Sequence, residues 1–441
     1  MHQMIPKVQH RARLGWIGHN SLQITKTSWH RLVKQYEYLD SKGERPVAKL
    51  KRKRSTGRAS SSISTTRATS NNPRLKAKRK RPISAGIPLD PTHKADLDSL
   101  RGRGAQATCF FNNKGGVGKT TLVANLGAEF ALNFGARVLV VDADPQCNLT
   151  QYVLGGEESL EIYESPDPQS VFSVIRPLSL GKGYSTSLPV RKSENFGFDI
   201  IVGDPRLAIQ EDLLANDWRD AKGGGMRGIR TTFVFSDLVG KAKDLGYDLV
   251  FFDMGPSLGA INRSILLAMD YFVVPMSIDI FSSWAIKNIG TAVTTWQKEL
   301  RTGISLAEDP AEIPHSYQSK ALRFLGYVTQ QHRERNVEDA IERSEELDEG
   351  RKRRIVQAYQ DISAAFPQQI ADSLGAFFDA DSIEPDLGTV KHMGSIAPKS
   401  QSQHTPMISV RGAGRFVQSR KEAREIYRDI AVKFIRNLTL S

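Results

Sequence analysis

The chain has 441 residues, a formal net charge of +13 and only two cysteines. Its length allows two or three domains, or one large domain with appendages. Cys109 and Cys147 form no CxxC pair, so zinc and iron–sulfur sites lack their ligands and a reduced, cytoplasmic protein is expected. Because the chain contains no apolar run of roughly 18 or more residues and no signal-peptide core, we expect neither a transmembrane segment nor a secretory leader.

The excess of basic residues belongs to the N-terminal quarter. Residues 1–105 hold 24 of the 61 Lys and Arg but only 6 of the 48 Asp and Glu, which leaves the rest of the chain slightly acidic. Two Lys/Arg runs, at 51–54 and 78–81, flank a Ser/Thr-rich spacer with few large apolar residues. We therefore expect 1–105 to be a largely disordered basic extension. The pattern at 28–39 is interpreted either as a short amphipathic helix that binds a partner or as a segment too short to form a stable helix alone. Such clusters bind phosphate backbones without reading sequence. Contact with DNA, a solvated tail without a partner and an over-extended gene start all remain open.

From residue 106 onward, strand and helix patterns alternate. Buried strands are predicted at 107–111, 137–141, 198–202, 248–252, 271–275 and 322–328. Helical patterns are predicted at 119–134, 232–245, 261–269 and 282–300. Continuous apolar strands separated by helices predict an α/β fold, with a mostly parallel sheet covered by helices on both faces. Ligands in such sheets bind at the carboxyl ends of the strands.

Two later segments have different patterns. Residues 332–385 are highly charged and helical, and are interpreted as an inserted helical subdomain or lid, or as a solvated hairpin without a function. Strand character returns at 389–396. A final helix at 415–438 carries a buried apolar stripe. Its basic residues are predicted to lie off that stripe, where they could contact DNA: Arg420, Lys421, Arg424 and Arg428.

A glycine-rich loop joins the first strand to the first helix of this domain. Gly115, Gly116, Val117 and Gly118 let backbone N–H groups turn inward around a polyphosphate, where side chains would collide with it. The helix N-terminus adds its dipole and unpaired donors. Lys119 can reach the β- and γ-phosphates of a nucleotide, and the Thr120 hydroxyl can bind Mg²⁺. A strict phosphate-loop pattern would have glycine at Asn113.

Three acids end neighbouring strands of the predicted sheet. Asp142 and Asp144 follow the second strand, and Asp253 ends an apolar run in the manner of a Walker-B acid. An acid beside the phosphate loop can hold the hydration shell of Mg²⁺, and a second can orient the attacking water. The sequence therefore predicts a nucleotide-hydrolysis site at this edge.

The sequences of these stretches resemble the motifs of one family. KGGVGKTT at 114–121 resembles the deviant P-loop of the ParA/MinD family of ATPases. VDADPQCNLT at 141–150 and FDMGPSLG at 252–259 are similar to motifs of its ParA branch, with Gly255 at the usual position of a proline. The resemblance covers roughly 107–330 and, more loosely, 388–438; it covers no part of 1–105.

The resemblance implies ATP-driven homodimerisation and slow, Mg²⁺-dependent ATP hydrolysis. It implies that Lys114 is the signature lysine, which reaches across the dimer to the partner's nucleotide. Thr121 would be a second phosphate contact and Asp144 the water-orienting acid. Asp142 and Asp253 would lie on the Mg²⁺ side.

Three functions follow as hypotheses. The first is a ParA-type ATPase of plasmid or chromosome partition that binds DNA non-specifically and is stimulated by an unidentified partner protein. The second is an ATP-switched scaffold for a non-DNA cargo or for a MinD-like membrane site, although no membrane anchor is expected because the final helix has a core-like stripe. The third is a regulator that binds a nucleotide and does not hydrolyse it.

Overall fold

The computed structural model describes residues 89–165, 168–277, 279–318, 321–330, 364–379, 381–391 and 393–441. These residues form one eight-stranded sheet in the order β3-β4-β2-β5-β1-β6-β7-β8. Neighbouring strands are parallel except β3 and β4, which are antiparallel. The strands are β1 Gln106–Phe110, β2 Val138–Asp142, β3 Val190–Lys192, β4 Asp199–Ile201, β5 Leu249–Asp253, β6 Tyr271–Met276, β7 Arg323–Gln330 and β8 Asp386–Val390. The predicted mostly parallel α/β fold is confirmed.

Helices connect these strands and cover both faces of the sheet. The α-helices with defined bounds are α1 Pro91–Arg101, α2 Lys119–Glu129, α3 Asn148–Leu154, α4 Gly156–Glu164, α5 Val171–Ser179, α6 Gln210–Lys222, α7 Met226–Thr232, α8 Val234–Asp244, α9 Ala260–Ala268, α10 Ile280–Leu306, α11 His315–Gln318, α12 Ile396–Ser402 and α13 Arg415–Leu440. Residues 364–374 are also helical. A π-helical turn, Phe130–Phe134, extends α2 as far as the predicted stop at Gly135, whose φ is 70°.

The two faces of the sheet bury separate apolar clusters. Along β1 and β5, successive residues alternate between them, as the pleat requires. Phe110 and Phe251 pack on one face with Phe434 of α13. Cys109 and Phe252 pack on the other face, against residues of α8, α9 and α10. The strands are therefore buried on both sides, and their carboxyl ends form the edge where ligands reach the sheet.

The sequence-based expectation of disorder up to residue 105 is wrong at the C-terminal end of that segment. Helix α1 begins at Pro91 after Asp90, whose carboxylate accepts a hydrogen bond from the Thr92 N–H at 2.8 Å. Leu97 and Leu100 are each 1% exposed and belong to the cluster that includes α13. Two leucines on one helical face provide enough apolar area to dock this segment, although its overall composition is polar. The predicted helix at 28–39 and both Lys/Arg runs lie outside the described residues.

Two further boundaries differ from the expectation. Strand β8 ends at Val390, and the predicted strand at 389–396 is replaced at its end by α12, which begins at Ile396. The second part of the predicted insert, 364–377, is not a separate subdomain. Its side chains Phe366, Ile370 and Leu374 belong to the core that faces α10. Residues 331–363 lie outside the described part of the chain.

Candidate functional site

The glycine-rich loop forms an open cradle between β1 and α2. Gly116 and Gly118 have φ of 74° and 73°, in the left-handed region that favours glycine. A Cβ atom at Gly115 or Gly116 would meet no atom within 4 Å, so the cradle faces open space. It lines a cavity of about 690 Å³. The backbone is therefore already shaped to surround an anionic group at the start of α2.

Lys119 lies inside this loop. Lys119 is only 8% exposed, and its ammonium donates to the carbonyl oxygens of Asn112 and Lys114, each at 3.2 Å. Burial lowers the pKa of Lys119, while the carboxylates of Asp253 and Asp144 act in the opposite direction. The ammonium is thus held by neutral carbonyl groups at the position where a phosphate would be its natural partner.

The three predicted acids come together but have different surroundings. Asp142 pairs in register with Asp253 across β2 and β5, and both are buried. The Asp142 carboxylate accepts from the backbone N–H and the hydroxyl of Thr150, at 2.8 and 2.6 Å, and burial raises its pKa to about 7. Asp142 thus supports the start of α3 and is absent from the residues lining the cavity. Its role beside Mg²⁺ stays a prediction.

Asp253 is buried and, like Asp142, is absent from the residues that line the cavity. Both carboxylate oxygens of Asp253 are buried, and the Thr120 hydroxyl is the side-chain donor that interacts with them. Burial raises the pKa of Asp253, and the neighbouring carboxylate of Asp142 adds to this, whereas the Thr120 hydroxyl opposes it. Asp144 lines the cavity next to the loop. Thr120, which lines the cavity, and Asp253 offer the oxygen atoms that Mg²⁺ prefers, and their role as its ligands stays a prediction.

The loop after Asp253 is clamped by residues that sequence reasoning missed. The Asn262 amide donates to the carbonyl oxygens of Gly255 and Ser257, at 2.8 and 2.6 Å. Glu211 of α6 accepts from the backbone N–H groups of Ala260 and Ile261 at the start of α9. A Cβ atom at Gly255 would lie 3.3 Å from Asp144 Oδ1, so glycine allows this loop to approach the acid. In the sequence, the only indication of the hydrogen bonds made by Asn262 is that this polar residue lies in the first turn of α9.

Lys114 points away from the pocket that holds Lys119. Its ammonium lies 2.5 Å from Asp279 Oδ2 and 3.2 Å from the Ser277 hydroxyl, and the side chain is 33% exposed. Burial acts to raise the pKa of Asp279, but hydrogen bonds from Lys114 and Ser277 outweigh it and hold the pKa below its usual value. The exposed ring of Phe281 lies 6.0 Å from the same ammonium. The two lysines of the loop thus have separate partners.

Polar side chains form the far wall of the cavity. Gln151 and Tyr152 come from α3, and Gln401 and His404 come from α12 and the turn after it. Gln330, at the end of β7, lies against Gly118; its amide nitrogen is buried without a partner among the described residues. Sequence reasoning assigned none of these residues, because they join the site only through the order of the strands.

The four predicted DNA contacts of the final helix do not form one exposed set. Arg428 is buried, and its Nε lies 2.5 Å from Glu129 Oε1, so its prediction as a DNA-binding residue is wrong. The reason is that Glu129 is fully buried on α2, and a buried carboxylate needs a cation. Arg420 and Arg424 donate to the carbonyl oxygens of Val410 and Ile408, each at 2.9 Å. Lys421 is well exposed.

Comparisons with known proteins agree with this geometry. A family described as an AAA domain matches residues 105–306. The chromosome-partitioning ATPase Soj of Thermus thermophilus is 29% identical over 194 residues, which cover 44% of this chain and 62% of Soj. A probable plasmid-partitioning protein ParA of the same organism is 31% identical over 199 residues, which cover 45% and 53%. The crystal structure of DIP2308 from Corynebacterium diphtheriae is 30% identical, with a TM-score of 0.53, over 68% of this chain and 97% of that one.

The chain belongs to the ParA/MinD family of P-loop ATPases. The chain spans between about half and two thirds of the length of these two curated relatives. The match to the AAA domain, residues 105–306, contains the phosphate loop, the three acids and Lys114. Within the described residues, no helix is long and apolar enough to cross a membrane. The same residues contain no group of three or more His, Cys, Asp and Glu side chains able to hold a metal ion.

Proposed function

We propose that this ParA/MinD-family protein is an ATP-dependent dimerisation switch that hydrolyses ATP slowly. The observation that carries the proposal is the separation of the two loop lysines. Lys119 faces the cradle, whereas Lys114 points out of it toward solvent and Asp279. A lysine placed outside its own pocket serves catalysis best when a second copy brings a nucleotide to it.

The chemistry follows from the positions of the side chains. The loop N–H groups, Lys119 and Thr121 would bind the phosphates, and Thr120 with Asp253 would hold Mg²⁺. Bound Mg²⁺ would neutralise charge on the β- and γ-phosphates. Asp144 lines the cavity and could accept a hydrogen bond from the attacking water, which it would orient toward the γ-phosphate. Lys114 of a second copy would then stabilise the charge that develops as the bond breaks.

We further propose that the switch acts in plasmid or chromosome partition, in the cytoplasm and on the nucleoid. The printed names of two relatives, a chromosome-partitioning ATPase and a probable plasmid-partitioning protein, support this role. Non-specific DNA binding would use the basic N-terminal segment together with Arg420, Lys421 and Arg424 of α13. A partner protein that stimulates hydrolysis is part of the proposal and stays unidentified.

The experiment combines light scattering with duplex-DNA binding, with ADP and with a slowly hydrolysed ATP analogue. We expect the analogue with Mg²⁺ to convert monomer to dimer and to increase DNA affinity. An unchanged mass with and without the analogue would refute the dimerisation switch. Dimerisation without DNA binding at low salt would favour the alternative, an ATP-switched scaffold for a non-DNA cargo or a membrane site.

A further inference from the structure

One segment of the chain touches both the nucleotide cavity and the basic helix. Gln401 and His404 line the cavity. Four and six residues after His404, the carbonyl oxygens of Ile408 and Val410 accept the hydrogen bonds of Arg424 and Arg420. We call residues 400–410 the relay segment. It joins the wall of the cavity to the side chains that the proposed function places on DNA.

Asn125 of α2 fixes the relay segment to the phosphate-loop helix. This asparagine is fully buried, and its Oδ1 accepts the backbone N–H of Met407 at 2.7 Å. Its amide nitrogen donates to the Thr121 carbonyl oxygen at 2.8 Å and to the Tyr152 hydroxyl at 3.1 Å. One side chain therefore connects a predicted phosphate contact, the cavity wall and the relay segment.

The hydrogen bonds continue in one direction from Asn125. The Asn125 amide donates to the Tyr152 hydroxyl, which lies 2.5 Å from the Ser400 hydroxyl. Ser400 in turn donates to the Thr405 carbonyl oxygen at 2.5 Å. Because the Ser400 hydroxyl uses its proton on Thr405, Tyr152 accepts a hydrogen bond from Asn125 and donates one to Ser400. Hydrogen bonds in such a chain polarise one another, so a displacement at one end affects the whole series.

One residue with a positive φ lies in the relay segment, and one unsatisfied hydroxyl lies on the helix that packs against that segment. His404 has a φ of 45°, which is uncommon for a residue with a side chain, and its Nδ1 contacts the Tyr152 carbonyl oxygen at 3.1 Å. The Tyr427 hydroxyl of α13 is fully buried without a hydrogen bond to any described residue. A buried hydroxyl without a partner costs free energy that another arrangement of the segment can recover. The relay segment therefore has a reason to adopt a second conformation.

We propose that the relay segment transmits nucleotide occupancy to α13, through the hydrogen bonds of Asn125, Tyr152 and Ser400. When a nucleotide occupies the cavity beside Gln401 and His404, the segment moves and repositions the carbonyl oxygens that hold Arg420 and Arg424. This inference rests on the proposed function, because it assigns the way in which that nucleotide site regulates DNA binding. Tyr152 and Ser400 are positioning residues for this coupling.

The test removes single hydroxyls from the chain of hydrogen bonds in the full-length protein. Tyr152→Phe and Ser400→Ala are compared with the double variant, and Tyr247→Phe is the matched control. Tyr247 is likewise buried and its hydroxyl donates to Asp199 at 2.8 Å, but both residues lie at the amino ends of β5 and β4, away from the cavity at the carboxyl ends. Binding to a random-sequence duplex is measured with ATPγS and with ADP, and thermal unfolding is measured for every variant.

The DNA affinity measured with ATPγS is divided by the DNA affinity measured with ADP. We expect this ratio to fall at least about threefold in Tyr152→Phe and in Ser400→Ala. The double variant should lose no more coupling than either single one, because each single substitution already removes the bond between the two hydroxyls that links the cavity wall to the relay segment. Coupling is reciprocal, so DNA should also raise ATPγS affinity in the wild type and do so less in these variants. Tyr247→Phe should keep the wild-type ratio at a similar loss of thermal stability. A wild-type ratio in both relay variants would overturn the proposal.

Hydrogen exchange across residues 403–424 separates this inference from the proposed function. We expect ATPγS to change exchange there in the wild type and in Tyr247→Phe, and to change it much less in the two relay variants. If that result is found but no variant binds DNA, the relay stands and the partition role fails. If ATPγS binds the wild type without changing exchange in this segment, the relay is overturned, whatever the DNA measurements show.

Discussion

The ammonium of Lys114 and the carboxylate of Asp279 form an ion pair at 2.5 Å, and the Ser277 hydroxyl bonds to both side chains. Asp279 also accepts from the Ser282 N–H at the start of α10. The lysine that the family pattern directs toward a second subunit is therefore held within its own chain. Reaching a facing nucleotide requires this ion pair to break.

Asp279→Asn should favour ATP-dependent dimerisation. The substitution removes the charge that holds Lys114 but keeps a side-chain oxygen suited to capping α10. A partly exposed ion pair contributes up to about 1 kcal/mol, so we expect the dimer dissociation constant to fall about fivefold at most. Light scattering with ATPγS measures it, with Lys114→Ala, which should weaken the dimer, as the opposite control. Weaker dimerisation in Asp279→Asn would contradict the expected release.

Lys119→Ala should abolish nucleotide binding. The buried ammonium is the cation inside the cradle, and a charge-assisted bond to phosphate cannot be replaced by a methyl group. Binding of a fluorescent ATP analogue measures the effect, and thermal unfolding without nucleotide checks that the variant folds. Affinity within a few-fold of wild type would show that the loop binds nucleotide without this lysine.

Asp144→Ala should bind ATP normally and lose most of its hydrolysis. Its carboxylate lines the cavity, and the phosphate-binding groups of the loop are left in place. Loss of a group that orients or deprotonates water lowers turnover by about 10²–10⁴-fold. Phosphate release is the measurement, together with ATPγS affinity as the control. Turnover close to wild type would transfer the role to another residue.

Arg428→Ala should destabilise the fold, and the loss should depend on pH. Removing one partner of a buried ion pair costs about 3–5 kcal/mol, because the Glu129 carboxylate would lose its cation and keep the neutral Asn133 amide as a donor. Burial already raises the pKa of Glu129 above its usual value, with Arg428 opposing the rise. Without the arginine the pKa should rise further, so the folded variant would bind a proton that the unfolded chain releases.

The sign of the pH effect follows from that difference. When the folded state binds more protons, stability falls as pH rises from the unfolded pKa through the folded pKa. Denaturant unfolding should therefore show a larger deficit for Arg428→Ala at pH 7 than at pH 5. Replacing the pair by Glu129→Leu with Arg428→Met should recover most of the stability. An equal deficit at both pH values would show that Glu129 does not titrate in this range.

The two basic regions should make separable contributions to DNA binding. Deleting residues 1–88 preserves α1 while removing both Lys/Arg runs, and should lower affinity and flatten its salt dependence with either nucleotide. Replacing Arg420, Lys421 and Arg424 by Ala should remove the ATP-dependent increment and keep the tail's contribution. A salt titration of duplex binding with ATPγS and ADP measures both. Loss of the ATP response on tail deletion alone would show that the basic side chains of α13 are solvated and do not contact DNA.

The sequence allowed the parallel sheet, the phosphate loop and the three acids to be predicted, because these features are local. A strand, a glycine run and a helix start within a few residues carry the loop, and Lys114 is identified by its place in that run. Asp253 is likewise marked by the apolar strand before it. Such signals do not depend on which elements pack together.

Features that depend on tertiary packing could not be predicted. Arg428 has the periodicity of an exposed residue, and only the position of Glu129 on a facing helix explains its burial. Glu211 caps a helix that begins 49 residues later, and Asn125 contacts a backbone N–H at position 407. Helix α1 was missed because composition over a long window concealed two leucines on one face.

Strand β3 has a consequence for assembly. It is the outermost strand on one side of the sheet, pairs over only three residues and carries Arg191 and Lys192. Short, charged edge strands resist pairing with strands of other molecules. A second copy therefore has little to gain by extending the sheet on this side. Association across the carboxyl ends of the strands, where Lys114 lies, does not involve β3. A side-by-side dimer that paired through β3 would instead leave both nucleotide pockets facing solvent. The short, charged strand therefore reduces competition from that second kind of dimer.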